Sequence, residues 1–254
     1  MASVYFASDF HLKPDNAGSR SREESIVQWL DQAQCDMSAL YLVGDVFDFW
    51  FDYKRVIPRG FTRILSKLLE LRRLGIPIHF FTGNHDLWMN DYLTHEMGIP
   101  IYREAIRTEI QGRQVFIGHG DGLGPGDHGY KLMKRIFANP LAQKCYRWLH
   151  PDVGVALAQY LSSRSREAQD AVQLFLGPER EWLVQFSEDL IARENKLDYL
   201  IFGHRHLPID YLLSNQRTRY VNLGDWIHFR SFARMRNGEL ELLFYENEHA
   251  VVYP

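Results

Sequence analysis

The chain has 254 residues, of which 46% are hydrophobic and 24% charged, a composition typical of a globular protein. This length accommodates one large domain, or a domain with a sizeable insertion. The formal net charge is −3 and the pI about 6.4, which argues against nucleic acid as a partner.

The cysteine content and the start of the chain predict a cytoplasmic protein. Cys35 and Cys145 form no metal or redox motif, which favours a reduced setting. The segment Met1–Phe10 lacks the basic start of a secretion signal and is predicted to be a first strand. No uncharged apolar run reaches the ~18 residues that span a bilayer, so we expect membrane contact to be peripheral. The patterns predict no particular oligomeric state.

Strand-like and helix-like patterns alternate through the first half of the chain. The capping-box sequence Ser21-Arg22-Glu23-Glu24 predicts the start of the first helix. Pro58 is expected in the first turn of the second helix, and a short helix is expected over Asp91–Met97. Strands are predicted at Val4–Ala7, Leu40–Val43, Ile78–Thr82, Ala105–Ile110 and Gln114–Gly118.

The pattern changes between His128 and Arg166, where strand character is weak. Helical stretches are broken at Asn139-Pro140 and at His150-Pro151-Asp152. The segment holds seven Lys or Arg residues and a single acidic residue, together with many apolar side chains. We interpret residues 128–166 as a helical lid inserted into one domain spanning 1–254. The alternative is an ordinary helical pair whose apolar residues pack on the core and whose charges are solvated.

The last part of the chain ends in hairpins. A helix is predicted over Glu179–Glu194 with Pro178 at its start, and Asn237-Gly238 is a strong hairpin signal. Strand-helix alternation followed by hairpins predicts an α/β sandwich with two mixed sheets and helices outside. The later strands are predicted at Asp198–Phe202, Ile209–Leu213, Arg219–Leu223, Phe229–Met235 and Glu239–Tyr245.

Five of the predicted strands end in short loops that carry carboxylates, imidazoles or an amide. Strands of one sheet end near one another, so these side chains are expected to share a small volume. Such donors suit a hard or borderline divalent metal. Each loop taken singly is more often a structural turn. The loops are Asp9-Phe10-His11, Gly44-Asp45, Gly83-Asn84-His85-Asp86, Gly118-His119-Gly120-Asp121 and Gly203-His204-Arg205-His206.

The loops supply enough ligands for two divalent cations if one carboxylate is shared. Asp45 is the candidate for the shared ligand, because each of its oxygens can bind one cation. Two metals about 3.5–4 Å apart engage a phosphoryl centre and acidify a bound water. His85 would protonate the leaving oxygen or steady its charge, with Asp86 setting its orientation. The complete predicted ligand set is Asp9, His11, Asp45, Asn84, His119, His204 and His206.

The ordered motifs resemble the calcineurin-like metallophosphoesterase superfamily over nearly the whole chain. This resemblance implies a four-layer αββα sandwich and a hydrolase with a two-metal centre. It assigns one metal to Asp9, His11, Asp45 and His206, and the other to Asp45, Asn84, His119 and His204. The metals it implies are Mn²⁺, Fe or Zn²⁺, and we expect Mn²⁺.

A narrower likeness is to the UDP-2,3-diacylglucosamine diphosphatases. It rests on the run Gly120–Tyr130, the basic insertion and the late element Leu223-Gly224-Asp225-Trp226. The family hydrolyses a nucleotide-sugar lipid at its α-phosphorus during lipid A synthesis, which gives UMP and lipid X. Substrate contacts are therefore expected from Asn84, His85, Asp127, Ser165, Arg166 and His204.

Two positions depart from the best-known members of that family. Those members carry Arg where this chain has His85, and Lys near the place of Val172. His85 matches the general superfamily motif, and Arg166 is a candidate to replace the missing cation.

The insertion suits a lipid substrate on physical grounds. Burial of each acyl CH₂ group contributes about 0.8 kcal/mol, so an apolar lid can capture the chains. Each Lys or Arg near an anionic membrane adds about 1 kcal/mol, which predicts peripheral association with the inner membrane. The alternatives are a phosphoesterase for another phosphodiester or nucleotide, and a non-catalytic scaffold of the same fold.

Overall fold

The computed structural model of the chain describes residues 2–14, 16–123, 137, 139–158, 160, 175–194 and 196–254. Its strands form a sheet of six and a sheet of five, here called sheet 1 and sheet 2. In chain order the strands are β1 (Ser3–Ala7), β2 (Met37–Val43), β3 (Ile78–Phe81), β4 (Ile101–Tyr102), β5 (Ile106–Ile110), β6 (Arg113–Ile117), β7 (Tyr199–Phe202), β8 (Pro208–Leu212), β9 (Arg219–Leu223), β10 (Ser231–Arg236) and β11 (Glu239–Phe244).

Both sheets are mixed, and their parallel strands carry the polar loops. Sheet 1 has the order β11-β10-β1-β2-β3-β4, in which β1 to β4 run parallel and β10 pairs antiparallel with β1. Sheet 2 has the order β5-β6-β7-β9-β8, in which β6, β7 and β9 run parallel. Parallel neighbours end at the same edge of a sheet. The loops after β1, β2 and β3 therefore meet, as do those after β6, β7 and β9.

Helices pack on the outer face of each sheet, and a further one lies in the insertion. Within the described residues they are α1 (Ala17–Ala33), α2 (Thr62–Arg73), α3 (Tyr92–Met97), α4 (Pro140–Tyr146) and α5 (Trp182–Arg193), with a 3₁₀ turn at Pro178–Arg180. Residues 151–158 are also helical. Among all the residues that the structure describes, no helix is both long enough and apolar enough to cross a bilayer.

Three apolar layers hold the sandwich together, and strand alternation assigns residues to them. In β1, Tyr5 faces the layer under α1 to α3, whereas Phe6 faces the layer between the sheets, as the two-residue period of a strand requires. The same alternation places Phe202 of β7 under α5 and Ile201 between the sheets. The order helix, sheet, sheet, helix confirms the predicted fold class.

Several predicted helix boundaries were wrong, and the first shows why. Helix α1 begins at Ala17 because Asn16 caps it, its Oδ1 accepting from the Ser19 backbone N–H at 2.9 Å. Ser21 and Glu24, the two ends of the predicted capping box, therefore lie inside the helix. Between them, the buried Glu23 accepts from the N–H of Ile64 in α2 at 3.1 Å. The carboxylate thus satisfies an N–H in the first turn of α2 and joins the two helices.

Other differences concern short elements. Helix α2 begins at Thr62, so Pro58 precedes it by more than one position. The helix predicted over Glu179–Glu194 is a 3₁₀ turn followed by α5. The two-residue strand β4 was not predicted because it is too short to show a period. Just over half of the predicted lid, 128–166, lies within the described residues, where α4 and residues 151–158 are helical; 128–136 and 161–166 lie outside them.

Candidate metal centre

The polar loops place their side chains with an unusual backbone conformation. Five candidate ligands adopt positive φ angles of 44° to 67°, a region where Asp and His are enriched among non-glycine residues. Each such residue costs about 1–3 kcal/mol and persists only where its surroundings fix it. Concentrated strain of this kind is characteristic of functional sites. The five residues are Asp9, His11, Asp45, His204 and His206.

The first group of donors consists of Asp9, His11 and His206. His206 Nε2 lies 3.2 Å from Asp9 Oδ1 and 3.0 Å from His11 Nε2. All three residues are buried, and Asp9 Oδ1 accepts no hydrogen bond from the described residues. Two ligands each about 2.1 Å from one cation are separated by roughly 3.0–3.5 Å. The spacing therefore fits donors that share an ion.

The second group consists of Asp45, His119 and His204, with Asn84 beside it. His119 Nε2 lies 3.3 Å from Asp45 Oδ2 and 3.3 Å from Asn84 Oδ1. The rings of His119 and His204 meet edge to face, with centroids 5.1 Å apart. Carboxylate, amide and imidazole donors again converge.

Asp45 lies between the two groups. Its Oδ2 is 3.3 Å from His119 Nε2 in the second group and 3.8 Å from His11 Nε2 in the first. Its Oδ1 accepts the backbone N–H of His85 at 2.8 Å, which fixes the carboxylate. This position suits the shared ligand that the sequence predicts.

The glycine before Asn84 is required by this carboxylate. A Cβ built on Gly83 would overlap the Asp45 carboxyl group. The close approach explains why a glycine opens the loop that carries Asn84.

Three of the imidazoles face an oxygen through Nδ1, which directs Nε2 towards the centre. His119 Nδ1 lies 2.9 Å from the carbonyl of Val43. His206 Nδ1 lies 3.3 Å from Asp225 Oδ2, and His11 Nδ1 lies 3.6 Å from Asp48 Oδ1. Metal-bound imidazoles commonly have such partners, which fix the tautomer and the ring plane.

Asp48 and Asp225 are residues that sequence reasoning did not assign. Both are buried, with 2% and 0% exposure. The available signals were a second acid three positions after Asp45, and an acid two positions after the end of a strand. Neither signal says which imidazole the carboxylate faces, because that depends on pairing between distant loops.

The electrostatics of the centre are those of closely packed opposite charges. Burial alone would raise the pKa of Asp9, but the adjacent His206 holds it well below its usual value. Burial would lower the pKa of His206 and His119, yet Asp9 and Asp45 respectively raise both to about 10. Burial and the charge of His119 lower the pKa of His204 to about 4. Without a cation, the carboxylates draw protons onto two of the imidazoles.

His85 lies beside the first group of donors. Its Nδ1 is 3.1 Å from the carbonyl oxygen of Asp48, and its ring meets that of His11 edge to face. Burial lowers the pKa of His85, so the ring is neutral near pH 7 in this environment.

The hydrogen bonds of Asp86 run to backbone N–H groups rather than to the His85 ring. Its carboxylate accepts the backbone N–H groups of Gly83 at 2.7 Å and Val46 at 3.0 Å. It therefore ties two ligand-bearing loops together. Burial and the charge of Asp45 raise the pKa of Asp86 to about 7.

The described part of the insertion contacts the loop that follows Asn84. The Trp88 indole Nε1 donates to the carbonyl of Phe137 at 2.6 Å. The Trp88 ring lies 4.5 Å from that of Tyr146 and 5.3 Å from that of Phe51. An aromatic cluster thus joins α4 to the metal centre.

The expected substrate contacts divide into two sets. Asn84, His85 and His204 lie together at the donor groups, as the distances above show. Asp127, Ser165 and Arg166 lie outside the described residues.

Two mixed sheets with carboxylate and imidazole donors at their parallel strand ends define a metal-dependent phosphoesterase. A family model described as calcineurin-like phosphoesterase matches residues 2–208, and the chain belongs to that family. The predicted family and the prediction of a metal-dependent hydrolase are both confirmed. The family and the donor groups together indicate divalent metals.

Individual relatives extend over almost the whole chain. A protein of Porphyromonas gingivalis named UDP-2,3-diacylglucosamine hydrolase is 38% identical over 245 residues, covering 91% of this chain and 93% of its own. A protein of the same name from Yersinia enterocolitica is 25% identical and covers 95% and 98%. Among solved structures, hypothetical protein PH1004 of Pyrococcus horikoshii has a TM-score of 0.50, with 11% identity, and covers 98% and 90%. That last likeness concerns the fold.

Proposed function

We propose that this chain hydrolyses the pyrophosphate of UDP-2,3-diacylglucosamine at the α-phosphorus, giving UMP and lipid X for lipid A synthesis. The observation that carries the proposal is the 38% identity over 91% of the chain to a hydrolase named for that substrate. The intact donor set at the strand ends supports a catalytic role over a scaffold.

The proposed cofactor is a pair of divalent cations, with Mn²⁺ suited to the oxygen and nitrogen donors. Asp9, His11, Asp45 and His206 would hold one cation. Asp45, Asn84, His119 and His204 would hold the other. The buried Asp9 Oδ1, which accepts no hydrogen bond from the described residues, fits a ligand role. When bound, the metals would polarise the phosphoryl oxygens and acidify water.

His85 is proposed to handle a proton at the leaving oxygen. The Asp48 carbonyl beside Nδ1 favours a proton on that nitrogen, which leaves Nε2 of the neutral ring as an acceptor. Donation to the leaving oxygen requires the doubly protonated ring, which the negative charge of a bound pyrophosphate would favour. Asp86 supports this step indirectly by holding the loop backbone.

The insertion is proposed to act as a lid for the acyl chains, within one domain spanning residues 1–254 and with lid residues 128–166. Its described part exposes large apolar side chains, among them Trp148 at 85% and Leu141 at 68%. Lys144 and Arg147 stand on the same stretch. Apolar and basic groups together suit a lipid substrate and the anionic surface of the inner membrane. This supports a cytoplasmic enzyme peripherally bound there.

The deciding experiment follows UDP-2,3-diacylglucosamine by phosphorus NMR and mass spectrometry in ¹⁸O-water with Mn²⁺. We expect UMP that carries ¹⁸O and unlabelled lipid X, because attack falls on the α-phosphorus. Asp9→Ala and His119→Ala should be inactive while remaining folded. Label in lipid X would contradict the cleavage position. Equal turnover of the deacylated nucleotide sugar would favour another phosphodiester, and absent turnover would overturn the proposal.

A further inference from the structure

Asp225 is held rigidly at the end of β9. Its Oδ1 accepts the backbone N–H groups of His228 at 2.8 Å and Phe229 at 3.1 Å. Its backbone carbonyl accepts from the N–H of Ser231 at 3.1 Å. These bonds fix the carboxyl group and leave Oδ2 directed at His206, 3.3 Å from Nδ1.

The backbone N–H groups of the turn bond to only one of the two carboxylate oxygens of Asp225, Oδ1. Asp225 is fully buried, and Oδ2 accepts no hydrogen bond in conventional geometry from the described residues. Among the described residues, His206 is the ion-pair partner of Asp225. A buried carboxylate is costly unless a positive group compensates it. A turn alone would be satisfied by asparagine or serine, so the charge requires a further reason.

His206 connects that carboxylate to the first group of donors. Its Nε2 lies 3.2 Å from Asp9 Oδ1, on the opposite side of the ring from Asp225. A proton held on Nδ1 by a carboxylate leaves the Nε2 lone pair free for a cation and raises its basicity. His119, in the second group, faces the neutral carbonyl of Val43 instead. The two groups therefore differ in the charge behind their imidazoles.

We propose that Asp225 is a positioning residue: it fixes the tautomer and ring of His206 and selectively strengthens the metal position formed by Asp9, His11 and His206. This inference rests on the two-metal function proposed above. It assigns Asp225 no contact with substrate.

The test is metal binding by Asp225→Asn, which keeps an oxygen for the turn and removes the charge. Purified protein is stripped, then titrated with Zn²⁺ against a chromogenic chelator, and Co²⁺ absorption spectra are recorded. We expect wild type to bind two ions per chain, and the variant to bind one of them about 10–100-fold more weakly. Asp210→Asn is the matched control, because that acid pairs with Arg219 rather than with a donor group. In a His206→Gln background, Asp225→Asn should have no further effect.

A second measurement does not depend on how the variant folds. Nitrogen-15 NMR of zinc-loaded wild type, with His206 assigned through His206→Gln, should show a proton on Nδ1 and metal on Nε2. The inference would be overturned if Asp225→Asn bound both metal ions as tightly as wild type does. It would also be overturned if Nδ1 of His206 carried no proton in the zinc-loaded protein. Wild type that binds no metal would instead refute the proposed two-metal function.

Discussion

Asp45 Oδ2 lies 3.3 Å from His119 Nε2, although the two residues come from different sheets. The same oxygen lies 3.8 Å from His11 Nε2. The carboxylate therefore stands where the loops of sheet 1 and sheet 2 meet. A ligand in this position distinguishes a paired centre from two independent sites.

The shared position predicts that Asp45→Asn weakens both metal positions, whereas Asp9→Ala weakens one. The expected loss of metal affinity exceeds the 10–100-fold typical of residues that only support a ligand. Metal content after dialysis, with turnover measured in parallel, checks this. The surface variant Asp31→Asn, on an acid paired with Lys67, should behave as wild type. Loss of a single ion from Asp45→Asn would exclude a bridging role.

The sandwich was largely predictable because its strands are apolar and its loops are polar. The strand predicted at Ile78–Thr82, for example, is found at Ile78–Phe81, one residue shorter. The first helix was predicted with the wrong start. Ser21 and Glu24 matched a capping box, but Asn16 caps the helix. Glu23, which lies between them, bonds to Ile64 in another helix, and no local signal reveals such a tertiary contact.

The donor residues could be named from the sequence, whereas the residues behind them could not. Asp9 and His11 share one short motif, so their proximity follows from the chain. The pairing of Asp225 with His206 depends on how β7 and β9 lie side by side in sheet 2. The same limit applies to Asp86, whose expected contact with His85 is replaced by bonds to backbone N–H groups.

Gly83→Ala is predicted to disrupt the centre, because its Cβ would overlap the Asp45 carboxylate. Such overpacking costs roughly 1–3 kcal/mol, and the displaced carboxylate should reduce metal affinity. Thermal unfolding and metal titration measure the two effects. Gly18→Ala in α1 is the control, since its Cβ would make only an ordinary contact and alanine favours a helix. Unchanged metal affinity in Gly83→Ala would show that the loop adapts to the methyl group.

Metal binding is predicted to release protons at neutral pH. The pKa values of His119 and His206 are raised to about 10 without metal, by Asp45 and Asp9 against the effect of burial. A cation needs the unprotonated nitrogen, so roughly one to two protons should leave per chain. Calorimetry in buffers of different ionisation enthalpy measures that number. His150→Gln, an exposed histidine on the insertion, should release as many protons as wild type. Zero release would contradict the protonation of these rings.

The same shifts set the sign of pH dependence in metal-free protein. His119 and His206 bind protons more tightly in the folded state than at their ordinary pKa of 6.5. Their contribution to the free energy of unfolding is complete below pH 6.5 and is lost as the pH rises towards about 10. Denaturant titrations of stripped protein at pH 6.5 and 9 should therefore show lower stability at pH 9. The opposite order would contradict the shifts.

Trp148 is predicted to contribute to membrane binding through its 85% exposed side chain. Burying a large apolar side chain contributes about 1.5–3 kcal/mol, so Trp148→Ser should weaken partition into anionic vesicles by roughly tenfold or more. Vesicle flotation measures the partition. Leu74→Ser removes a comparably exposed residue at the end of α2, remote from the insertion in sequence, and should change little. Equal losses from both variants would indicate non-specific adsorption, and no loss from Trp148→Ser would place the membrane contact elsewhere on the protein.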